Sequence, residues 1–185
     1  GSPNYKPRVK PITKIIIHWF GVGSLESADT RFQNPANQVS AHYGISKGRI
    51  WQWVKETDIA YHSGVWNINE ESIGIEHDAT INNLLSEQDY KISAQLLREI
   101  TKRYNIPLDR KYILGHGEIK ATQCPGTINI NKIINLAKDM DQIITQAKGS
   151  ERRIVLKCST EQQFIELCKV YGKDPNKPDE NVKDV

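Results

Sequence analysis

The sequence has few cysteines, no long hydrophobic run and no strong excess of charge of either sign. Three cysteines in 185 residues are too few for the disulfide framework that stabilises many small secreted domains. None belongs to a Cys-x-x-Cys pair, which excludes the paired-cysteine structural zinc sites of many nucleic-acid-binding domains. No apolar stretch approaches the length that spans a bilayer, and we therefore expect no membrane insertion.

The overall composition indicates one ordinary domain with a small appendage. Apolar residues make up 38% of the chain, which is enough for a hydrophobic core at this length. The formal net charge of +3 is mild, and an anionic surface polymer would explain it as well as nucleic acid would. We expect no nucleic-acid partner. The first residues, Gly1-Ser2-Pro3, resemble a cloning remnant rather than a signal peptide.

The first strong structural signal is a buried strand at residues 13–18, where a continuous β-branched run ends in His18. Asp29 is the predicted N-cap of a short helix that ends before Pro35. His18 therefore stands at the end of a central strand, and the short helix frames a cleft beside it.

A hairpin and a further strand follow. Alternating residues predict strands at 41–47 and 49–55, joined by the turn Lys47-Gly48. After a loop rich in Gly, Trp and Asn, residues 72–77 alternate as another strand. Because side chains alternate along a strand, Glu76 points to one face and His77 to the other.

The second half of the domain is predicted as helix, strand and helix. Ser86 caps a helix that runs to about Tyr104, and a short strand then ends at His116. A last helix spans about residues 130–147 and is closed by Gly149. The fold class is therefore α/β, with a mixed central β-sheet flanked by helices.

The composition changes after Gly149, where a strand at 153–157 and a helix at 160–171 predict a short C-terminal β-α appendage. We accordingly divide the chain into three parts: a tag remnant and N-terminal arm at 1–11, a main domain at 12–148, and a linker with a partial second module or tail at 149–185. Cys158 and Cys168 of the last part are either a disulfide pair or two free thiols.

Three residues, His18, His116 and Cys124, each follow a predicted strand or lie in the loop after one. A lone histidine at a strand end is more often structural than a ligand. Two imidazoles and a thiolate together suit Zn²⁺, and three protein ligands leave a fourth position for water, as in catalytic sites. The sequence therefore predicts a zinc hydrolase.

Six short motifs in order then narrow the class. They are Ile15-Ile-Ile-His18, Val39-Ser-Ala-His-Tyr43, Ala60-Tyr-His-Ser-Gly64, Asn69-Glu-Glu-Ser-Ile-Gly-Ile-Glu76, Leu114-Gly-His116 and Thr122-Gln-Cys-Pro-Gly126. Across roughly residues 12–140 the chain resembles the zinc-dependent N-acetylmuramoyl-L-alanine amidases, the family that contains T7 lysozyme and the peptidoglycan recognition proteins.

The resemblance implies roles for five residues. His18, His116 and Cys124 match the three zinc ligands, and Glu76 matches the catalytic base of the branch that resembles AmpD and AmiD. Thr122 stands where many members carry a lysine that stabilises the oxyanion, so we expect a hydrogen bond from its hydroxyl in that role.

The same resemblance bears on the mechanism and on the substrate groove. Ala41 stands where T7 lysozyme carries a tyrosine, so a tyrosine-based mechanism is not expected. His62 and Asn69 match positions that line the groove, although His62 is equally compatible with holding the loop before Gly64. Trp66, predicted in a loop, is a candidate for stacking on substrate.

The implied reaction is hydrolysis of the amide bond between the lactyl group of N-acetylmuramic acid and L-alanine in peptidoglycan. We expect a monomeric endolysin or autolysin that acts on the cell wall after secretion or after release from the host cytoplasm at phage lysis. The alternative is a peptidoglycan-binding recognition module without activity.

Overall fold

The computed structural model describes residues 1–149, with side chains described as far as residue 140. The chain divides into one compact unit of residues 1–143 and a second of residues 144–185, and the first carries the fold described below. Its strands and helices, in order, are β1 (Tyr5–Pro7), β2 (Lys14–Ile17), α1 (Leu25–Gln33), β3 (Tyr43–Ser46), β4 (Arg49–Gln52), β5 (Asp58–Ala60), α2 (Trp66–Glu71), β6 (Ser72–His77), α3 (Glu87–Tyr104), β7 (Ile113–Gly115) and α4 (Ile130–Gly149).

The main sheet has five strands in the order β4-β3-β6-β2-β7, and β1 and β5 form a separate antiparallel pair. Only β3 and β4 run antiparallel, while the other neighbours are parallel. In register, Ile16 of β2 lies opposite Gly74 of β6 and Leu114 of β7. The mixed central sheet predicted from the sequence is thus confirmed.

The two faces of the sheet pack in different hydrophobic cores. Ile15 and Ile17 of β2, with Ile73 and Ile75 of β6, are fully buried in the larger core together with α3 and α4. Burial of both sides of a parallel sheet explains the continuous isoleucine run of β2. The opposite face carries a smaller core with α1, and it also carries the alternate positions of β6 that end in Glu76.

Most predicted elements appear close to their expected bounds. The strand at 13–18 is β2, which ends at Ile17, and the strand at 72–77 is β6. The hairpin turns at Lys47-Gly48, where both residues have positive φ. The predicted Ser86 cap is confirmed, because its side chain accepts a hydrogen bond from the Asp89 backbone at the start of α3.

The start of α1 differs from the prediction. Ser24, rather than Asp29, is its N-cap, because Ser24 and Ser27 form a reciprocal pair of capping hydrogen bonds. Asp29 lies inside the helix and accepts a hydrogen bond of 2.7 Å from Trp53 Nε1. The helix ends at Gln33, before Pro35, as expected.

Two further segments are more ordered than predicted. The loop before β6 contains β5 and the short helix α2, so Trp66 begins a helix rather than lying in a loop. The arm at 1–11 packs into the domain through β1 and through the buried side chains of Ser2 and Asn4. Asn4 donates hydrogen bonds to the carbonyls of Phe32, Asn34 and Val39.

The predicted strand at 153–157, the helix at 160–171 and the two cysteines Cys158 and Cys168 lie outside the described residues. Within the described part of the chain, no helix combines the length and the apolar composition needed to cross a bilayer.

Candidate metal and catalytic site

The three predicted ligands converge. One nitrogen or sulfur atom each from His18, His116 and Cys124 lie within 4.8 Å of one another. His18 follows β2 and His116 follows β7, and these strands are parallel neighbours whose carboxyl ends meet at one edge of the sheet. Cys124 comes from the loop that follows His116.

His18 is the most enclosed of the three ligands, with 2% of its surface exposed. Its Nδ1 faces Cys124 Sγ at 3.7 Å, and its ring lies 4.5 Å from the His116 ring between centroids. Burial, and then the neighbouring imidazoles, hold the pKa of His18 well below its ordinary value. The ring is therefore neutral at physiological pH, which is the form that binds a metal.

His62 lies behind His18 rather than on the surface of a groove. Its ring packs over Gly74, where a Cβ would come within 2.5 Å of His62 Cγ, so only glycine leaves room for it. His62 Nδ1 is 3.0 Å from His18 Nε2, and its Nε2 is 3.2 Å from Ser72 Oγ. Burial and then the His18 ring lower the pKa of His62 strongly.

Asn69 is also buried, and it is linked to His116 through Ser63. Its Oδ1 accepts hydrogen bonds from the Ser63 backbone N–H at 2.9 Å and from the Ser63 hydroxyl at 2.7 Å. The Ser63 carbonyl in turn lies 2.9 Å from His116 Nε2. The structure therefore places both residues that were predicted in the groove, His62 and Asn69, behind the ligands.

Glu76 lies on the face of the sheet that carries the ligands. His18 extends β2 to the level of Glu76 on β6, since Ile17 pairs with Ile75. Burial raises the pKa of Glu76 to about 8, against a weaker opposing effect of Arg31. Among the described residues, its Oε2 is the one buried side-chain oxygen or nitrogen without a hydrogen-bond partner, which is what a carboxylate waiting for a water or cation would show.

Cys124 is half-buried, and its thiol is protonated in this arrangement. Burial and then the negative charge of Glu76 raise its pKa to about 12. A divalent cation would displace that proton, since metal ligation requires the thiolate. Two neutral imidazoles, a thiol and a nearby carboxylate without a partner form a donor set that fits Zn²⁺.

The loop around Thr122 is exposed. The Thr122 hydroxyl accepts a hydrogen bond of 3.3 Å from the Cys124 backbone N–H, which shapes the loop before the ligand. Lys120, which sequence reasoning missed, places Nζ 2.9 Å from where a Cβ on Gly64 would stand. Its charge contributes to lowering the pKa of His116, after burial.

Trp66 is the one predicted substrate contact that is open to solvent, with 44% of its surface exposed. Its ring centroid is 5.9 Å from that of Tyr61, and the ammonium group of Lys6 lies 5.2 Å above it. Two other tryptophans have a packing role: Trp53 is buried in the smaller core and Trp51 packs against it.

The remaining histidines are structural by their contacts. His42 accepts a hydrogen bond of 3.0 Å from the Gly74 backbone N–H at Nδ1. His77 lies on the opposite face of β6 from Glu76, 2.8 Å from Ser93 of α3. Ala41 is fully buried.

Residues 8–127, which include the three ligands and Glu76, match the protein family described as N-acetylmuramoyl-L-alanine amidase. The chain belongs to this family. The match begins at Arg8, inside the arm, and ends directly after the Cys124 loop. The amidase family predicted from the six motifs is thereby confirmed.

Two relatives carry amidase names. N-acetylmuramoyl-L-alanine amidase A of Achromobacter lyticus is 43% identical over 42% of this chain and 43% of its own. The matched region thus spans less than half of that relative. The 1,6-anhydro-N-acetylmuramyl-L-alanine amidase AmpD of Haemophilus influenzae is 31% identical, over 64% of this chain and 78% of the relative. The predicted enzyme class agrees with both names.

The fold also recurs among solved structures. A mutant endolysin from Bacillus subtilis superposes with a TM-score of 0.62 over 74% of this chain and 92% of that chain, at 19% identity. At this identity the likeness shows the fold, and it confirms the predicted α/β class.

Proposed function

We propose that this amidase domain hydrolyses the amide bond between the lactyl group of N-acetylmuramic acid and L-alanine in peptidoglycan, with Zn²⁺ as its metal. The observation that carries the proposal is the convergence of His18, His116 and Cys124 beside the partnerless carboxylate of Glu76. A recognition module that had lost its activity would have no use for this complete donor set.

The metal would be held by His18 Nδ1, by one ring nitrogen of His116 and by Cys124 Sγ. Zn²⁺ there supplies polarisation of the substrate carbonyl and activation of water. The other steps fall to groups of the chain itself.

Glu76 is the proposed general base and acid. Its carboxylate takes a proton from the attacking water and then delivers it to the nitrogen of the departing L-alanine. Burial supports both steps, because it raises the pKa of Glu76 to about 8 and makes the group a stronger base than an exposed glutamate. A cation on the three ligands would supply the charge that keeps Glu76 ionised at neutral pH.

In this proposal Thr122 keeps the role predicted from its position, as a minor donor to the oxyanion. The hydroxyl accepts a bond from the Cys124 backbone, and its own proton is left to donate to an oxyanion. The exposed ring of Trp66, with Tyr61 and Lys6 beside it, is the proposed contact surface for the peptide or sugar.

The proposed place of action is the cell wall, as an endolysin or autolysin that is secreted or released at lysis. The wall-directed chemistry follows from the amidase family, and the fold is that of the Bacillus subtilis endolysin.

Digestion of purified peptidoglycan tests the proposal. We expect stem peptides with free L-alanine amino termini, detected by mass spectrometry, and no product after metal removal by a chelator until Zn²⁺ is restored. Glu76→Gln keeps the shape of the side chain but cannot take a proton, so we expect a rate lower by about 10²–10⁴-fold.

Three outcomes would each contradict part of the proposal. Release of reducing sugars instead of peptides would show that the wrong bond is assigned. An unchanged rate for Glu76→Gln would remove Glu76 as the base, and full activity in the metal-free protein would remove the metal.

A further inference from the structure

Each ligand histidine is held by a chain of hydrogen bonds that ends on backbone groups. The first chain runs from His18 Nε2 to His62 Nδ1 at 3.0 Å, and from His62 Nε2 to Ser72 Oγ at 3.2 Å. It ends where the Ser72 hydroxyl donates to the Ile68 carbonyl at 2.5 Å.

The direction of this chain follows from counting protons. The Ile68 carbonyl can only accept, so the single hydroxyl proton of Ser72 is used there, and Ser72 Oγ must accept from His62 Nε2–H. A neutral His62 then has a bare Nδ1, which accepts from His18 Nε2–H. A neutral His18 is left with a bare Nδ1, the nitrogen that faces Cys124 Sγ.

The second chain gives the same result at His116. The Ser63 carbonyl can only accept, so His116 Nε2, at 2.9 Å, must carry the proton and leaves Nδ1 bare. Asn69 holds Ser63 in place, because its Oδ1 accepts from the Ser63 backbone N–H at 2.9 Å. The single proton of the Ser63 hydroxyl is shared between Asn69 Oδ1 at 2.7 Å and the Val65 carbonyl at 2.9 Å.

We propose that His62 and Asn69 are positioning residues, which set His18 and His116 in the Nε2–H tautomer and so aim both Nδ1 lone pairs at the metal. This inference rests on the metal site of the proposed function. His62 and Asn69 then act by orienting the ligands and do not contact the substrate. The opposite tautomer would point an N–H at the metal.

Zinc affinity is the first test, measured in the full chain by competition with a chromophoric chelator. We expect His62→Phe, which keeps a ring but removes both nitrogens, and Asn69→Leu to weaken binding by about 10–100-fold, the usual effect of a lost outer-shell partner. His62→Gln retains an acceptor and a donor and should recover part of the loss.

A matched control separates positioning from general destabilisation. Thr101→Val removes a buried hydroxyl from α3, where Thr101 donates to the Arg98 carbonyl at 3.0 Å. Thr101 is far in sequence from the residues of both hydrogen-bond chains. We expect this variant to lose stability and keep its zinc affinity. If it weakens zinc binding as much as His62→Phe does, the positioning roles are refuted.

Tautomers are the second test, and they need no variant to fold. Long-range proton–nitrogen NMR of the zinc-loaded wild-type chain should show His18, His62 and His116 all protonated at Nε2. Protonation of His18 or His116 at Nδ1 would overturn the inference.

The failures of the two proposals are distinguishable. Without any zinc binding or amidase activity in the wild type, the proposed function falls. If the wild type binds zinc and cleaves peptidoglycan while His62→Phe and Asn69→Leu bind zinc equally well, only the positioning roles fall.

Discussion

The candidate metal site joins two unlike regions, a buried wall and an exposed loop. The buried wall consists of His18, His62, Gly74 and Glu76, and the exposed loop is residues 117–127, which carries Cys124. In the wall, His18 and His62 expose 2% and 9% of their surfaces. In the loop, Thr122 and its neighbour Gln123 are exposed.

The difference teaches how each region is specified. Side-chain hydrogen bonds and sheet register fix the wall, whereas backbone bonds shape the loop, with Gly117 N–H donating to the Cys124 carbonyl at 2.7 Å and Gly126 N–H to the Gln123 carbonyl at 2.7 Å. Changes in the wall should therefore lower both the stability of the fold and the affinity for zinc. Changes in the loop should lower the affinity for zinc alone or have little effect on either.

The largest effect is expected from Cys124→Ser in the exposed loop. A hydroxyl is a poor ligand for Zn²⁺, so the affinity should fall by more than the ~10–100-fold of an outer-shell change. Chelator competition gives the affinity, and thermal melting of the metal-free protein should be unchanged because the wall is intact. A matching drop in melting temperature would break the distinction between the two regions.

Gly74→Ala tests the wall. The added Cβ would lie 2.5 Å from His62 Cγ, so the ring must move, at a cost of about 1–3 kcal/mol in the free energy of unfolding. Zinc affinity should fall in the same variant. Urea unfolding of the metal-free protein measures the first quantity and chelator competition the second.

A double variant sharpens this test. Combining Gly74→Ala with His62→Ala removes the clash. The double variant should therefore lose less free energy of unfolding than the two single variants lose in sum. Strict additivity would mean that the methyl group and the ring do not meet.

Acid should weaken the parts of the fold that pack behind the wall. Burial lowers the pKa of His42 to about 3 and that of His77 to about 4. Below about pH 6.5 these two histidines bind protons in the unfolded chain but not in the folded chain. Their contribution to the free energy of unfolding is therefore present above that pH and is lost as pH falls. For His77 the full loss down to pH 4 is about 3 kcal/mol.

Urea unfolding of the metal-free protein at pH 7 and pH 5 measures the net change, to which the buried histidines contribute a loss in acid and the raised pKa of Glu76 an opposing gain. The difference between wild type and His77→Gln isolates the contribution of His77. An equal slope in that variant would contradict the assignment to His77.

The smallest effect is expected from Thr122→Ala in the exposed loop. Its hydroxyl makes one bond of 3.3 Å to the loop backbone, so the rate of peptidoglycan hydrolysis should change by less than about threefold, since removing an essential oxyanion donor costs about 10²–10³-fold. A loss in that larger range would give Thr122 the catalytic role that its sequence position suggests.

Much of the fold and of the site could be predicted from local patterns. The isoleucine run that ends in His18 and the alternation that puts Glu76 and His77 on opposite faces both survive in the structure, because strand geometry determines them. The convergence of His18 and His116 was predictable because residues after neighbouring parallel strands meet at one sheet edge, and Cys124 lies in the loop that follows His116.

The partners of those ligands were not predictable in the same way. The position of His62 depends on the empty space over Gly74 and on a hydroxyl ten residues away at Ser72, which no periodicity reveals. Asn69 acts through the carbonyl of Ser63, and a backbone group has no sequence signature. The start of α1 was mistaken because Ser24 and Ser27 cap each other, a weaker signal than the aspartate at 29.

The arm at 1–11 has a practical consequence for any shortened version of this domain. The Arg8 guanidinium donates to the carbonyls of Glu56 at 3.0 Å, Asp58 at 2.9 Å and Ser72 at 2.9 Å. One side chain thus joins the start of β5 to the first residue of β6. A domain trimmed to begin at residue 12, the predicted start of the main domain, would keep all three candidate ligands and lose the hydrogen bonds by which Arg8 joins β5 to β6.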